Sequence, residues 1–240
     1  MDWFSSLASV WGVYLALAVF VLGMAWRMWE WSRTPKTAVR LALYPKPKTR
    51  LGRFGKLLID TFVAPQSIAI ATGVMVAAFA FHIAALGAFV GHLRLVHEFT
   101  PLVAVLGVEG MNTFAAWSGG IAGIVMLAAI LYWLGRRTFG PYRKLSIPED
   151  YLLLALLLGI VIMGDHLRFV GGLHAATYEA WFGSLLAFRP SFPPELASST
   201  TRFALNWHML FVDAFLIYFP FSKMTHAVGA FATNLVRSSE

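Results

Sequence analysis

Five apolar runs of about twenty residues, each bounded by charge or by Pro and Gly, dominate this 240-residue chain. A helix needs about 20 mostly apolar residues to cross a hydrocarbon layer ~30 Å thick, and inside lipid its backbone groups must be satisfied within the segment. The runs predict an all-α integral membrane protein, a bundle of five transmembrane helices over residues 10–29, 67–92, 114–134, 151–169 and 203–226. The fifth is the least clean, because it holds His208, Asp213, Pro220 and Lys223. No internal repeat, low-complexity tract or second soluble domain interrupts the pattern, so residues 1–240 read as one membrane domain.

Charge orients the bundle. Hydrophobic residues make up 58% of the chain and charged ones 13%, so the net charge of +7 sits in links between apolar runs and forms no basic face for nucleic acid. The first link carries Arg27, Arg33, Lys36, Arg40, Lys46, Lys48, Arg50, Arg53 and Lys56, and the third carries Arg136, Arg137, Arg143 and Lys144. With Lys223 and Arg237, fifteen of the nineteen bases lie on one side, which predicts an outer N-terminus and a cytoplasmic C-terminus. The start, "MDWFSS", lacks a positive n-region and reads as the lead into an anchor helix. The prolines of "YPKPKTR" argue against a compact helix in the first link, whose bases suit either anionic headgroups or a cytoplasmic partner.

Histidines inside the membrane are costly and call for a role. His97, beside Glu98, and His174, after Gly171 and Gly172, are read as solvent-facing; His166, in "MGDHLRF", is read as either an interfacial residue or part of a quinone or proton-transfer site. The remaining four fall in two spans of opposite direction, which matches His82 with His226 toward the cytoplasm and His92 with His208 toward the outside. Paired neutral imidazoles facing each other across a bundle are a usual way to hold b-type haem. Ten residues from His82 to His92 rise ~15 Å and eighteen from His208 to His226 rise ~27 Å, so the second helix must kink or end, and Pro220 supplies the cause. With no cysteine, the chain can hold neither a disulfide nor a cysteine-ligated cluster nor a covalently attached haem. Met209 reads as a packing residue that is chemically capable of ligation, and Asp213 as an acceptor for a ligand N–H or a partner of Arg or Lys.

The segments "FHIAALGAFVGH" and "HMLFVDAFLIYFPFSKMTH" resemble the gamma subunit of respiratory nitrate reductase, and the likeness covers the five-span plan. "GHLRLV" and "PEDYLLLALLLGIVIMG" are similar to the branch of membrane cytochromes b associated with dissimilatory sulfite reductase; heterodisulfide reductase subunits belong to the same broad family. The resemblance implies a multi-pass protein of the prokaryotic cytoplasmic membrane that binds two haem b groups, His82 and His226 holding the inner iron and His92 and His208 the outer. It also implies oxidation of a quinol, expected to be menaquinol, near Gly91 and His92, with electrons passing to a cytoplasmic iron–sulfur subunit. Glu98, Glu109 and Asp165 are candidates for proton release. A lysine that nitrate reductase gamma subunits carry near the start of the third span, associated with quinol binding, is absent here, the nearest positions being Asn112 and Thr113. The rival reading from another class is a proton or solute transporter with a His/Asp pathway and no haem.

Overall fold

A computed structural model describes residues 2–33, 47–63, 68, 71–193 and 199–239. Every regular element among them is helical. Five helices are long and apolar enough to span a membrane: α1 (Trp3–Arg33), α3 (Thr72–His92, continued by a 3-10 turn to Leu95), α4 (Thr100–Phe139), α5 (Pro148–Phe169) and α7 (Ser199–Tyr218). Three shorter ones are α2 (Arg50–Phe62), α6 (Glu179–Leu186) and α8 (His226–Ser239).

The chain divides into two compact units. The first comprises residues 1–17 and 80–215. One core cluster packs Ala8, Val10, Leu167, Trp181, Leu205 and Met209, so α6 seals the ends of α1, α5 and α7. A second cluster, Phe81, Ala129, Ile130, Leu154 and Val161, ties α3 to α4 and α5. Asp150, at the third position of α5, accepts from the Ile147 amide (3.0 Å) and from Arg137 (2.8 Å), fixing the α4–α5 link at both its ends. Helix α1 contains a π-helical turn at Leu7–Trp11, beside which Asn206 donates to Ser5 (2.8 Å).

Helix α4 is 40 residues long, about twice what a bilayer needs, and it is broken at Gly107, whose φ of +70° is a conformation that only glycine adopts cheaply. The span expected from Phe114 thus begins about two turns earlier, because Glu109 and Asn112 lower the local hydropathy without interrupting the helix.

The second unit comprises residues 18–79 and 216–240. Here Pro220, which has no N–H to give, ends the fifth spanning helix in a 3-10 turn, and its carbonyl accepts from Arg27 Nε at 2.9 Å. Gly23 makes this possible: a Cβ there would lie 2.7 Å from the proline ring. Ser222 caps a further turn through the Met224 amide (3.1 Å), and a new helix starts at His226. The expected span over 203–226 is therefore two helices joined at Pro220. The first link also departs from expectation, since α2 follows its prolines. Thr49 caps α2 by accepting from the Gly52 amide at 3.0 Å, so the prolines precede the helix and leave its backbone ladder intact.

Candidate functional site

Helices α3, α5 and α7 assemble the His92–His208 pair. His92 closes α3, and its Nδ1–H donates to the Ala88 carbonyl one turn back (2.7 Å). His208 projects from α7 toward α5, where its Nδ1–H donates to the Ile160 carbonyl (3.0 Å). One turn further along α5, Gly164 faces the same ring: a Cβ there would stand 3.1 Å from His208 Cε1. A carbonyl can only accept, so both rings carry their proton on Nδ1 and keep the Nε2 lone pair for another bond.

The two rings are nearly parallel, 19° apart, with centroids separated by 6.4 Å. Two imidazole nitrogens each ~2 Å from one metal, on rings whose centres lie ~1.1 Å behind them, would place the centroids roughly 6.3 Å apart. The spacing and tautomers therefore suit a shared iron. The glycines of α3 leave the neighbouring helix face open, since a Cβ on Gly87 or Gly91 would meet nothing within 4 Å. No three His, Asp or Glu side chains converge among the described residues, so the imidazoles form no closed multi-ligand metal cage there.

His82 lies in the first unit on α3, ten residues before His92, with its ring exposed. His226 belongs to the second unit, where it opens α8 and its Nδ1–H donates to the Lys223 carbonyl (2.8 Å), the same tautomer as in the His92–His208 pair. Met209 is buried in the core cluster with Trp181 and Leu205, in a packing role. Asp213 is buried too, pressed against Gly12 of α1, and its Oδ2 has no hydrogen-bond partner. Among the described residues it has no ion-pair partner either, and the Nδ1–H groups of His92, His208 and His226 go to carbonyls, so the structure puts it in a seam with α1 and makes neither of the bonds expected of it.

Just beyond His92 a charged network begins. Arg94, only 2% exposed, donates to both oxygens of Glu98 (2.8 and 2.5 Å) and to Asn112 (2.8 Å). The guanidinium holds the Glu98 carboxyl below its ordinary range. Asn112 also lines an open cavity of about 380 Å³ with Glu109, Thr113, Ala116 and His174. Its α4 members recur at intervals of three and four, which puts them on one helix face. His174 corrects an expectation: it is half-buried rather than solvent-facing, paired with Arg168 at 3.1 Å, and burial together with Arg168 and Arg94 lowers its pKa. His97 is exposed as expected, 3.7 Å from Glu179. The ring of His166 is half-buried and its Nδ1 has no partner among the described residues.

Of the three acids singled out for proton release, Glu98 is engaged by Arg94 and Asp165 sits beneath Gly123 of α4. Glu109 alone faces the cavity.

Residues 67–239 match the family model described as the nitrate reductase gamma subunit. The chain belongs to that family. Among its relatives is the Hdr-like menaquinol oxidoreductase cytochrome b-like subunit of Archaeoglobus fulgidus, 26% identical across an alignment that covers 91% of this chain and 75% of the relative. The protein of the same name from Archaeoglobus profundus is 24% identical, covering 90% and 74%. The respiratory nitrate reductase 1 gamma chain of Escherichia coli is 28% identical over 161 residues, covering 64% and 71%.

In this gamma-family chain, Ile160 and Gly164 are the positions that the sequence pattern did not single out. Each is ordinary in an apolar helix, and the signal for Gly164 is its place one turn after Ile160 on the α5 face that meets His208.

Proposed function

We propose that this protein is the di-haem cytochrome b subunit of a membrane-bound quinol oxidoreductase, with its N-terminus outside and its C-terminus in the cytoplasm. The observation that carries the reading is the His92–His208 pair, parallel rings 6.4 Å apart with both Nδ1–H groups committed to carbonyls. His92 and His208 would hold an outer haem b. His82 and His226 would hold an inner one, supported by their places in two spans of opposite direction and by the tautomer of His226. When bound, such groups supply one-electron storage and transfer across the membrane.

The protein's own contribution is to set ligand tautomers, keep the ligands apart from competing donors, and bind quinol. The cavity beside Asn112 suits quinol for three reasons. It opens next to the Arg94 network two residues past His92; it offers Glu109 as a proton acceptor; and His174, neutral because its pKa is lowered and accepting from Arg168 at Nδ1, keeps its proton on Nε2 as a donor for a quinol oxygen. The protons of quinol oxidation would leave on the outer face. Electrons would leave toward the basic links, where a cysteine-bearing iron–sulfur partner would dock, since this chain has no thiolate to hold a cluster. Two relatives are named menaquinol oxidoreductase subunits, which favours menaquinol as substrate.

Mixing the haem-loaded protein with a reduced menaquinone analogue should produce the reduced b-type absorption. Glu109→Gln combined with His174→Ala should slow that response by about a hundredfold or more while leaving haem content unchanged, the usual range for removing a general base. An unchanged rate would overturn the assignment of the cavity, and no response from the haem-loaded wild type would overturn quinol as the donor.

A further inference from the structure

The second unit holds a helix whose polarity is turned the unexpected way round. Helix α2 is strongly amphipathic. Arg53, Lys56 and Asp60 share one face with the buried Leu57; Lys56 and Asp60 are paired there at 3.0 Å, both largely covered by protein. The opposite stripe carries Leu51, Phe54 and Ile59, which are 80%, 55% and 50% exposed. A helix in a water-soluble body does the reverse, hiding the apolar stripe and presenting charge.

Its surroundings indicate what covers the apolar stripe. α2 packs along α8, and Asn234 of α8 donates to Thr61 of α2 at 3.1 Å. Gly229 of α8 lies against Trp31 at the end of α1, where an added Cβ would be 3.6 Å from the indole. That end of α1 also carries exposed Trp26 and Trp29, with Arg33 stacked 4.7 Å above Trp29, and Arg27. Tryptophans and arginines closing an apolar span mark the headgroup level of a bilayer. The stack from Trp31 through α8 therefore holds α2 at that level. Exposed Lys48 and Arg50 at the start of α2 are placed to meet anionic headgroups.

We infer that α2 is an interfacial membrane helix, lying along the surface of an anionic bilayer with Leu51, Phe54 and Ile59 inserted at the headgroup–acyl boundary. The inference concerns the unit's own surface and stands apart from the haem and quinol reading. It assigns the apolar stripe of α2 to lipid and leaves the other basic positions, Arg136, Arg137, Arg143 and Lys144 among them, to the cytoplasmic partner.

The test exploits a chain without cysteine. Leu51→Cys, Phe54→Cys, Ile59→Cys and, as the water-side reference, Lys48→Cys are each labelled with an environment-sensitive fluorophore in the full-length protein. They are then reconstituted without other subunits into vesicles containing anionic phospholipid. At all three apolar positions brominated lipid should quench strongly, and aqueous iodide should quench about threefold or more less efficiently than at Lys48→Cys, as for a side chain in the acyl boundary. Quenching of the three labels by iodide would overturn the inference, since the stripe would then face water and await a soluble partner. Protection from both quenchers would overturn it as well, because protein, including a second copy of this chain, would then be what covers the helix.

Discussion

Gly164→Val should leave the protein with about one b-type haem per chain in place of two. The position has no role of its own in ligation. It matters because α5 approaches the His208 ring so closely that a single methyl would already stand 3.1 Å from Cε1. The Ile160 carbonyl one turn away fixes the Nδ1–H and leaves the ring no free rotation. A branched side chain must push the imidazole aside, breaking both the 3.0 Å bond that sets its tautomer and its alignment with His92. Gly164→Ala, which asks the ring to give by only a few tenths of an ångström, should retain more of the outer haem. Haemochrome quantification on the purified variants measures both. Two full haems in Gly164→Val would mean that His208 does not depend on this contact.

Glu98→Ala carries the largest expected effect on stability. Arg94 is buried, and Glu98 receives two of its three hydrogen bonds among the described residues; the third goes to Asn112, and Nη1 already lacks a partner. Removing the carboxylate strands a buried cation, a change that typically costs about 3–5 kcal/mol. Glu98 is itself partly exposed, which favours the lower end of that range. Replacing Arg94 and Glu98 together by Leu and Ala should cost less than Glu98→Ala alone, because no uncompensated charge remains. The midpoint of unfolding in detergent reads both.

The same groups set a pH dependence. Glu98 has its carboxyl pKa lowered in the folded protein, so its contribution is complete above the ordinary carboxylate value and is lost as pH falls through the folded one. His174 has its pKa lowered by burial and by Arg168 and Arg94; the unfolded chain therefore binds its proton first, and stability begins to fall below about pH 6.5. Acid should destabilise the protein in two stages, and His174→Gln should remove the upper one.

How much of this was legible in the sequence depends on whether a feature is local to one segment. The five spans are written as composition, so their number and order match the fold. The spacing of His82, His92, His208 and His226, and the proline that interrupts the fifth span, are equally local; Pro220 ends α7 where a rise of ~27 Å had required a break. The fate of α2 was obscured because its prolines stand before the cap at Thr49, and because its apolar stripe is too short to resemble a span. His174 looked like a loop residue after two glycines, and only the return of the chain to Arg168 and the α4 face makes it part of a cavity. Ile160 and Gly164 could not be singled out, since a backbone carbonyl and a missing side chain acquire meaning only when another helix is laid against them.

The central claim is that four histidines divide into two iron-binding pairs. Its most direct test is a dithionite-reduced minus oxidised visible spectrum with pyridine haemochrome quantification, on the wild type and on His92→Ala and His226→Ala. The account predicts two b-type haems per wild-type chain, with each substitution removing a different one. A well-folded wild type without haem would contradict it and leave the intramembrane His and Asp to a transport pathway.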